Sequence, residues 1–335
     1  MAGGSGPSAT GSPLAHATTT SSTGAPRPQS WATFIVTYDR PAVLADTLEI
    51  VLAQTVLPDV VLVVDNGTDP GTEEVVRSLG ERRIVYQRTG ENLGSAGGVS
   101  FGQSWVAEHG YDWAHSIDDD DPPRTADTIE RLRALVTRHA DDDRLGGVGS
   151  VGSRWDWQRG QTVRLADHEL VGDLAVDVIG GNSNFTIRRR VIQEIGPVER
   201  RFFFGFYDPL YCLRVAQAGY RLLVDGDLHR RSRELAGRLE LQRSRGFVPA
   251  DPASGVWRRY YVTRNYIFRM RRSFDRPDLA RREATRALGR SVGSWARGPR
   301  YGALYSAMQL RGIADGYRGK LGRVVEPRAK TTRDG

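Results

Sequence analysis

Two hydrophobic periods alternate along the first half of the chain. Residues 33–38 are β-branched and aromatic and predict a strand, and a helix follows from Pro41 with Val43, Leu44, Leu48, Val51 and Leu52 on one face. Pro41 suits the first helical turn, where its missing N–H costs nothing. Residues 60–65 predict a second strand, 71–79 a short helix, 84–87 a third strand, 96–108 a helix and 113–117 a strand running into Asp118. A helix over 125–139 turns Ile129, Leu132, Leu135 and Val136 inward. This alternation predicts an α/β chain with a mainly parallel, Rossmann-like sheet flanked by helices. Ligands of such sheets sit beyond the carboxyl ends of the strands, where Asp65 and Asp118 stand. From 146 to 227 the pattern is less regular, with a strand at 222–225 and a helix opening at Asp208 and Pro209. Beyond Trp257 it is Arg-rich and helical, with Tyr260, Tyr261, Arg264, Asn265 and Phe268 at helical spacing.

Composition narrows the class. A chain of 335 residues can bury a large core. Residues 1–30, rich in Gly, Ser, Thr, Ala and Pro, read as a disordered tail without the apolar stretch of a secretory signal. No window approaches the roughly 20 apolar residues of a membrane span, so a soluble or peripheral protein is expected. The lone Cys212 excludes an internal disulfide, agrees with the cytoplasm and reads as a core residue. The net charge of +7 is uneven: residues 231–335 hold 25 basic and 9 acidic side chains, against 22 and 31 before them. Such a basic end could meet nucleic acid, anionic lipid or substrate phosphate. With 45 of the 47 basic residues Arg, and no recognition motif, nucleic acid is not the expected partner.

Two segments carry chemistry. Asp118, Asp119, Asp120 and Asp121 follow an apolar strand, and carboxylates there can hold Mg²⁺ or Mn²⁺ together with a diphosphate; the alternative is a solvated acidic turn. Residues 92–98 hold Asn92, Gly94, Gly97 and Gly98 in a Gly-rich loop that opens a helix. Free N–H groups there favour an anion, while small residues equally serve close helix–strand packing.

In order and spacing, residues 37–41, Gln54 and Thr55, 64–67, 92–98 and 118–123 resemble the nucleotide-binding half of family 2 glycosyltransferases. Residues 181–185, Arg188 and Arg189, 202–214, 218–220, His229 and 260–265 continue the match, so that it spans about residues 32–270. The loop at Asn92 and the segment with Arg264 and Asn265 resemble the bacterial galactofuranosyl- and rhamnosyltransferase branch.

The resemblance implies a GT-A fold and a metal-dependent, inverting transfer of a sugar, galactofuranose or rhamnose, from a UDP- or dTDP-sugar to a cell-wall, surface-glycan or lipid-linked acceptor. On it, Asp65 contacts the nucleobase with Thr37 beside it, Asp118 and Asp120 surround metal and donor, and Asp119 lies near the ribose or sugar. His229 completes the metal shell, though a lone histidine is also a common core residue.

The base falls on Asp208, the survivor of a pair of acids; Tyr207 and Leu210 replace positions often acidic in relatives. Inversion needs a group that removes the acceptor proton as oxygen attacks, yet Asp208 would equally cap a helix before Pro209. Trp155 and Trp157 are candidates to stack on acceptor sugars or to pack in a core, Asn182 is a further acceptor candidate, and Phe202, Phe203 and Phe204 read as core.

The expected organisation is a nucleotide-sugar half over 31–145, an acceptor and catalytic half over 146–255, a helical region over 256–323 and a second tail over 324–335. The expected location is cytoplasmic, peripheral on the inner membrane face, with the Arg-rich end over about 258–323 docking on anionic membrane or a lipid-diphosphate acceptor, and Arg269, Arg271 and Arg272 as the residues to test. A sugar nucleotidyltransferase would carry a Gly-rich basic signature after the first strand, where Tyr38, Asp39 and Arg40 stand instead. A non-catalytic sugar-nucleotide-binding subunit is supported only by the incomplete acid pair at Tyr207 and Asp208.

Overall fold

The computed structural model describes residues 29–180, 184–240 and 249–326. In chain order the first elements are β1 (Trp31–Thr37), α1 (Pro41–Leu52), β2 (Val60–Asp65), α2 (Gly71–Leu79), β3 (Ile84–Arg88), α3 (Gly94–Glu108), β4 (Trp113–Asp118), α4 (Thr128–Arg138) and β5 (Leu145–Gly149). There follow β6 (Gly152–Asp156), β7 (Gln161–Val163), β8 (Asp173–Val176), β9 (Val178–Ile179), β10 (Thr186–Arg188), α5 (Arg189–Ile195), α6 (Tyr207–Gln217), β11 (Arg221–Asp225) and α7 (Gly226–Leu235). The chain closes with α8 (Trp257–Arg272), α9 (Pro277–Ser294) and α10 (Pro299–Arg318).

Eight strands form one sheet in the order β3-β2-β1-β4-β10-β5-β11-β8, and β7-β6-β9 form a small second sheet. The strands β3, β2, β1 and β4 are mutually parallel, as the alternating periods require, while β10 runs antiparallel between β4 and β5. Every residue of β2 is buried, the mark of a strand covered on both faces. Leu44, Leu48 and Val51 of α1 pack with Ile35, Val61 and Val63 on one face. Ala96, Val99 and Val106 of α3 pack with Phe34, Leu62 and Val64 on the other.

The register of β1 with β4 pairs Val36 with Asp118, and with β2 it pairs Thr37 with Asp65, so the polar strand ends fall at one edge. α8, α9 and α10 form the helical region predicted beyond Trp257. It is bound to the loop before α6: Asn265 donates to the Phe204 and Gly205 carbonyls at 2.8 and 2.9 Å, and the Arg264 guanidinium donates to the Phe202 carbonyl at 2.8 Å and to the Gly322 carbonyl at 2.7 Å. Among the described residues no helix is long and apolar enough to cross a membrane.

Candidate active site

The carboxyl ends of β1 and β4, the start of α3, the loop before α6 and the first turn of α8 enclose a cavity of about 570 Å³. Of the expected residues, Thr37, Asn92, Gly94, Asp118, Asp119, Asp120 and Asp208 line it. Asp119 is buried, and the Thr37 hydroxyl donates to its carboxylate at 2.7 Å. Arg40 forks across Asp119 and Asp120, reaching Asp120 at 2.6 Å, and the Thr47 hydroxyl donates to the Asp119 carbonyl at 2.6 Å. Among the described residues the Asp118 carboxyl has no such compensation. Burial first, then the charges of Asp120, Asp208, Asp119 and Asp121, push its pKa up to about 7.

Asp208 is the second residue of α6, not its cap; Phe206 occupies the cap with a left-handed backbone at φ 61°. The helix-cap alternative for Asp208 is therefore corrected. It sits in the first turn, where helix geometry favours an anion, and is close enough to Asp118 for the two charges to interact. Tyr207, where relatives often carry an acid, is a buried phenol. Its pKa is raised well above the usual value by burial and by Asp118 and Asp208, so it stays neutral and adds no third negative charge.

The Gly-rich loop divides its work. The Asn92 side chain accepts from the Gly94 N–H at 2.9 Å, and Gly94 adopts φ 70° with its backbone against the Phe203 carbonyl. A Cβ on Gly98 would strike Val36 and Asn66, and one on Gly97 would strike Leu93, so these two serve close packing and do not line the cavity.

Other expected residues lie elsewhere. Asp65 is buried and does not line the cavity; it accepts from the Gly67 N–H at 2.8 Å, the Tyr86 hydroxyl at 2.6 Å and Arg88 at 3.3 Å. The neighbouring Asn66 does line it, donating to the Gly94 carbonyl at 3.0 Å. His229 is buried on α7 and belongs to an adjoining cavity of about 690 Å³, beside Asp121, Arg124, Ser150 and Arg233. Its pKa falls to about 3 through burial and the nearby Arg233 and Arg164, so the imidazole is neutral. The structure does not bring it to Asp118 and Asp120.

Trp155 is buried against Phe206 and Tyr266, the core alternative, whereas Trp157 is 40% exposed and packs edge-on to Phe274 away from the cavity. Asn182 lies outside the described residues. Phe202 is core as expected, but Phe203 and Phe204 contribute to the cavity wall. Sequence reasoning also missed Arg40, Ser95, Trp257 and Arg258, which complete the wall. The signal for Trp257 and Arg258 was their place at the start of a helix that carries Arg264 and Asn265.

Carboxylates at a strand end suit a hard divalent ion, and burial together with the neighbouring carboxylates makes an ionised Asp118 costly without a counter-charge. Among the described residues no group of three His, Cys, Asp or Glu side chains is arranged to hold a metal ion.

The glycosyl transferase family 2 model matches residues 33–205, and the chain belongs to that family. The galactofuranosyltransferase GlfT1 of Mycobacterium tuberculosis H37Rv is 36% identical over 109 residues, which is 32% of this chain and 35% of the relative. That of Mycolicibacterium smegmatis is 34% identical over 113 residues, with the same shares. The match thus spans about a third of these relatives' length. Among solved structures, the mannosyltransferase PcManGT of Pyrobaculum calidifontis, in complex with GDP-Man and Mn²⁺, aligns with a TM-score of 0.52 at 18% identity. That alignment covers 88% of this chain and 90% of that one. It is a GT-A enzyme, and this chain shares its fold.

Proposed function

We propose that this protein transfers galactofuranose, or alternatively rhamnose, from a UDP- or dTDP-sugar to a cell-wall, surface-glycan or lipid-linked acceptor, with inversion in a single displacement. The observation that carries the reading is the meeting of Asp118 and Asp208 on one cavity from opposite halves of the domain. A donor bound among Thr37, Asn66, Asn92 and Gly94 would bring its diphosphate to the β4 carboxylates. Asp208, from the other side, would take the acceptor proton as the new bond forms. Galactofuranose ranks first because the curated relatives transfer it.

Asp118 and Asp120 would hold Mg²⁺ or Mn²⁺, which when bound neutralises charge developing on the leaving diphosphate. Arg40, spread over Asp119 and Asp120, offsets part of the negative charge of those two carboxylates. Tyr207 presents a neutral phenol beside Asp118 and Asp208, and the Trp257 and Phe204 rings narrow the mouth.

Release of nucleotide diphosphate from UDP-galactofuranose and dTDP-rhamnose by the purified chain tests the proposal. Turnover that stops in excess chelator is expected. A folded chain that binds nucleotide sugar and releases nothing with any acceptor would make it a binding subunit instead.

A further inference from the structure

α9 shows solvent an apolar line that the fold leaves uncovered. Leu288, Val292 and Trp295 follow at helical spacing and are 46, 69 and 52% exposed, while Ala287, Ser291 and Ser294 on the neighbouring stripe are buried. Trp295 rests one edge on Gly302 of α10, where a Cβ would collide with the indole, so the ring is braced in its outward position. Scattered exposed apolar residues are ordinary, but three in register along one helix, ending in Trp, form a stripe.

The surroundings are strongly basic. Residues 281–300 hold six arginines, at 281, 282, 286, 290, 297 and 300, and the single acid Glu283. Glu283 is engaged by Arg290 at 2.5 Å. Arg286 donates to the Arg159 carbonyl at 3.0 Å, and Arg297 lies over the Tyr301 ring; among the described residues neither is held in an ion pair with a carboxylate. An apolar stripe ending in Trp and flanked by arginines matches the way amphipathic helices lie in the headgroup region of a bilayer. Anionic lipid supplies the complementary charge.

By contrast, two of the three arginines named above for testing, Arg269 and Arg271, are spent inside the protein. Arg269 is mostly buried over the Phe202 ring, which lowers its pKa to about 10, and Arg271 donates to the Tyr317 carbonyl at 2.9 Å over that residue's ring. Of the three, only Arg272 is exposed, so the docking expected of the Arg-rich end is better tested on α9.

We propose that α9 and the turn after it form a membrane-docking face, which seats the enzyme on an anionic lipid surface through Leu288, Val292 and Trp295 with the surrounding arginines. Such a face would hold the cavity near lipid-borne acceptors without a spanning segment.

Co-sedimentation of the full chain with phosphatidylcholine vesicles, with and without an equal part of phosphatidylglycerol, tests this. No donor or acceptor is present, so the outcome is independent of the transfer reaction. Wild type should partition onto the mixed vesicles about tenfold better than onto neutral ones, and a triple Leu288→Ser, Val292→Ser, Trp295→Ser variant should lose about tenfold. All three side chains are exposed, so the variant should fold; an unchanged circular dichroism spectrum checks this, and Arg281→Gln with Arg282→Gln provides a second variant that keeps the apolar stripe. Equal binding to both vesicle types would overturn the proposal, as would a triple variant that binds like wild type. Self-association removed by the triple variant, without vesicle binding, would assign the stripe to a second copy of the chain and overturn it as well.

Discussion

Asp118 is held in its native site with its proton until about pH 7, whereas in the unfolded chain it would ionise near 4. Between those values the native state binds more protons than the unfolded one, so metal-free stability should fall as pH rises from about 4 to about 7. Thermal unfolding in chelator at pH 5 and pH 8 should show this drop. Asp118→Asn should flatten it while abolishing transfer, and added Mg²⁺ should restore wild-type stability at the higher pH. A variant with the same slope as wild type would place the cause elsewhere.

Asp208 calls for a different measurement. At the second position of α6, Asp208→Asn should lose only about 0.3–1 kcal/mol of helix-dipole interaction. As base it should lose about 10²- to 10⁴-fold in kcat with nucleotide affinity retained. A near-normal kcat would move the base, though not to Asp225, whose carboxylate is bound by Arg131 at 2.8 and 2.9 Å and accepts from the Leu228 N–H at 2.9 Å. The residue types of the acid run were legible in the sequence. Which carboxylate carried the strain was not, because that depends on Arg40 reaching Asp119 and Asp120 from a different strand end.

Among the elements of the first half, α1, β2 and α2 start and end as the periodicity predicts, whereas β1 starts two residues earlier and α4 three residues later than expected. Both hydrophobic faces are buried there, and local pattern and tertiary environment agree. α3 opens at Gly94, two residues before the expected start, because Asn92 accepts from its N–H and fixes the turn. β10 breaks the parallel pattern between β4 and β5, and three residues of strand are too few to show a period. The α3 start provides a test of what its glycines do. Gly80 and Gly94 both have positive φ, but a Cβ on Gly80 meets open space, whereas one on Gly94 would lie 2.1 Å from the Phe203 carbonyl oxygen. Gly80→Ala should therefore cost about 1 kcal/mol in urea unfolding, the backbone strain alone. Gly94→Ala should cost clearly more and should also lower activity, since the Phe203 loop leads directly to Tyr207 and Asp208. Equal costs would show that the loop gives way freely.

Over the whole molecule, the family match ends at residue 205, yet the site does not. Trp257 and Arg258 come from α8, and the loop from Phe202 to Gly205 is tied to that helix by Arg264 and Asn265. The sequence spacing placed Arg264 and Asn265 on one helix, but not their carbonyl partners some 60 residues earlier, since loop carbonyls leave no side-chain signature. Arg264 is fully buried between the Tyr260 and Tyr261 rings, and the Tyr260 hydroxyl continues to Asp315 of α10 at 2.7 Å. The Tyr261 hydroxyl donates to the Val325 carbonyl at 2.7 Å, and Tyr266 reaches the Gly160 carbonyl at 2.8 Å. The bonds of Arg264 and Asn265 to the loop from Phe202 to Gly205, and of Tyr266 to Gly160, cross between the helical region and the rest, so neither should unfold alone. Urea unfolding followed by circular dichroism and by tryptophan fluorescence should give one coincident transition, because the tryptophans stand on both sides of this boundary. Arg264→Met keeps much of the volume but removes the charged donor from the Gly322 carbonyl and leaves the Phe202 carbonyl only the Asn265 amide and the Phe204 N–H, and should cost about 2 kcal/mol. That loss should appear as a shift of the single transition, together with reduced kcat from a loosened loop before Asp208. Two separated transitions in wild type, or an Arg264→Met enzyme with normal stability and turnover, would show that the helical region only leans against the catalytic domain.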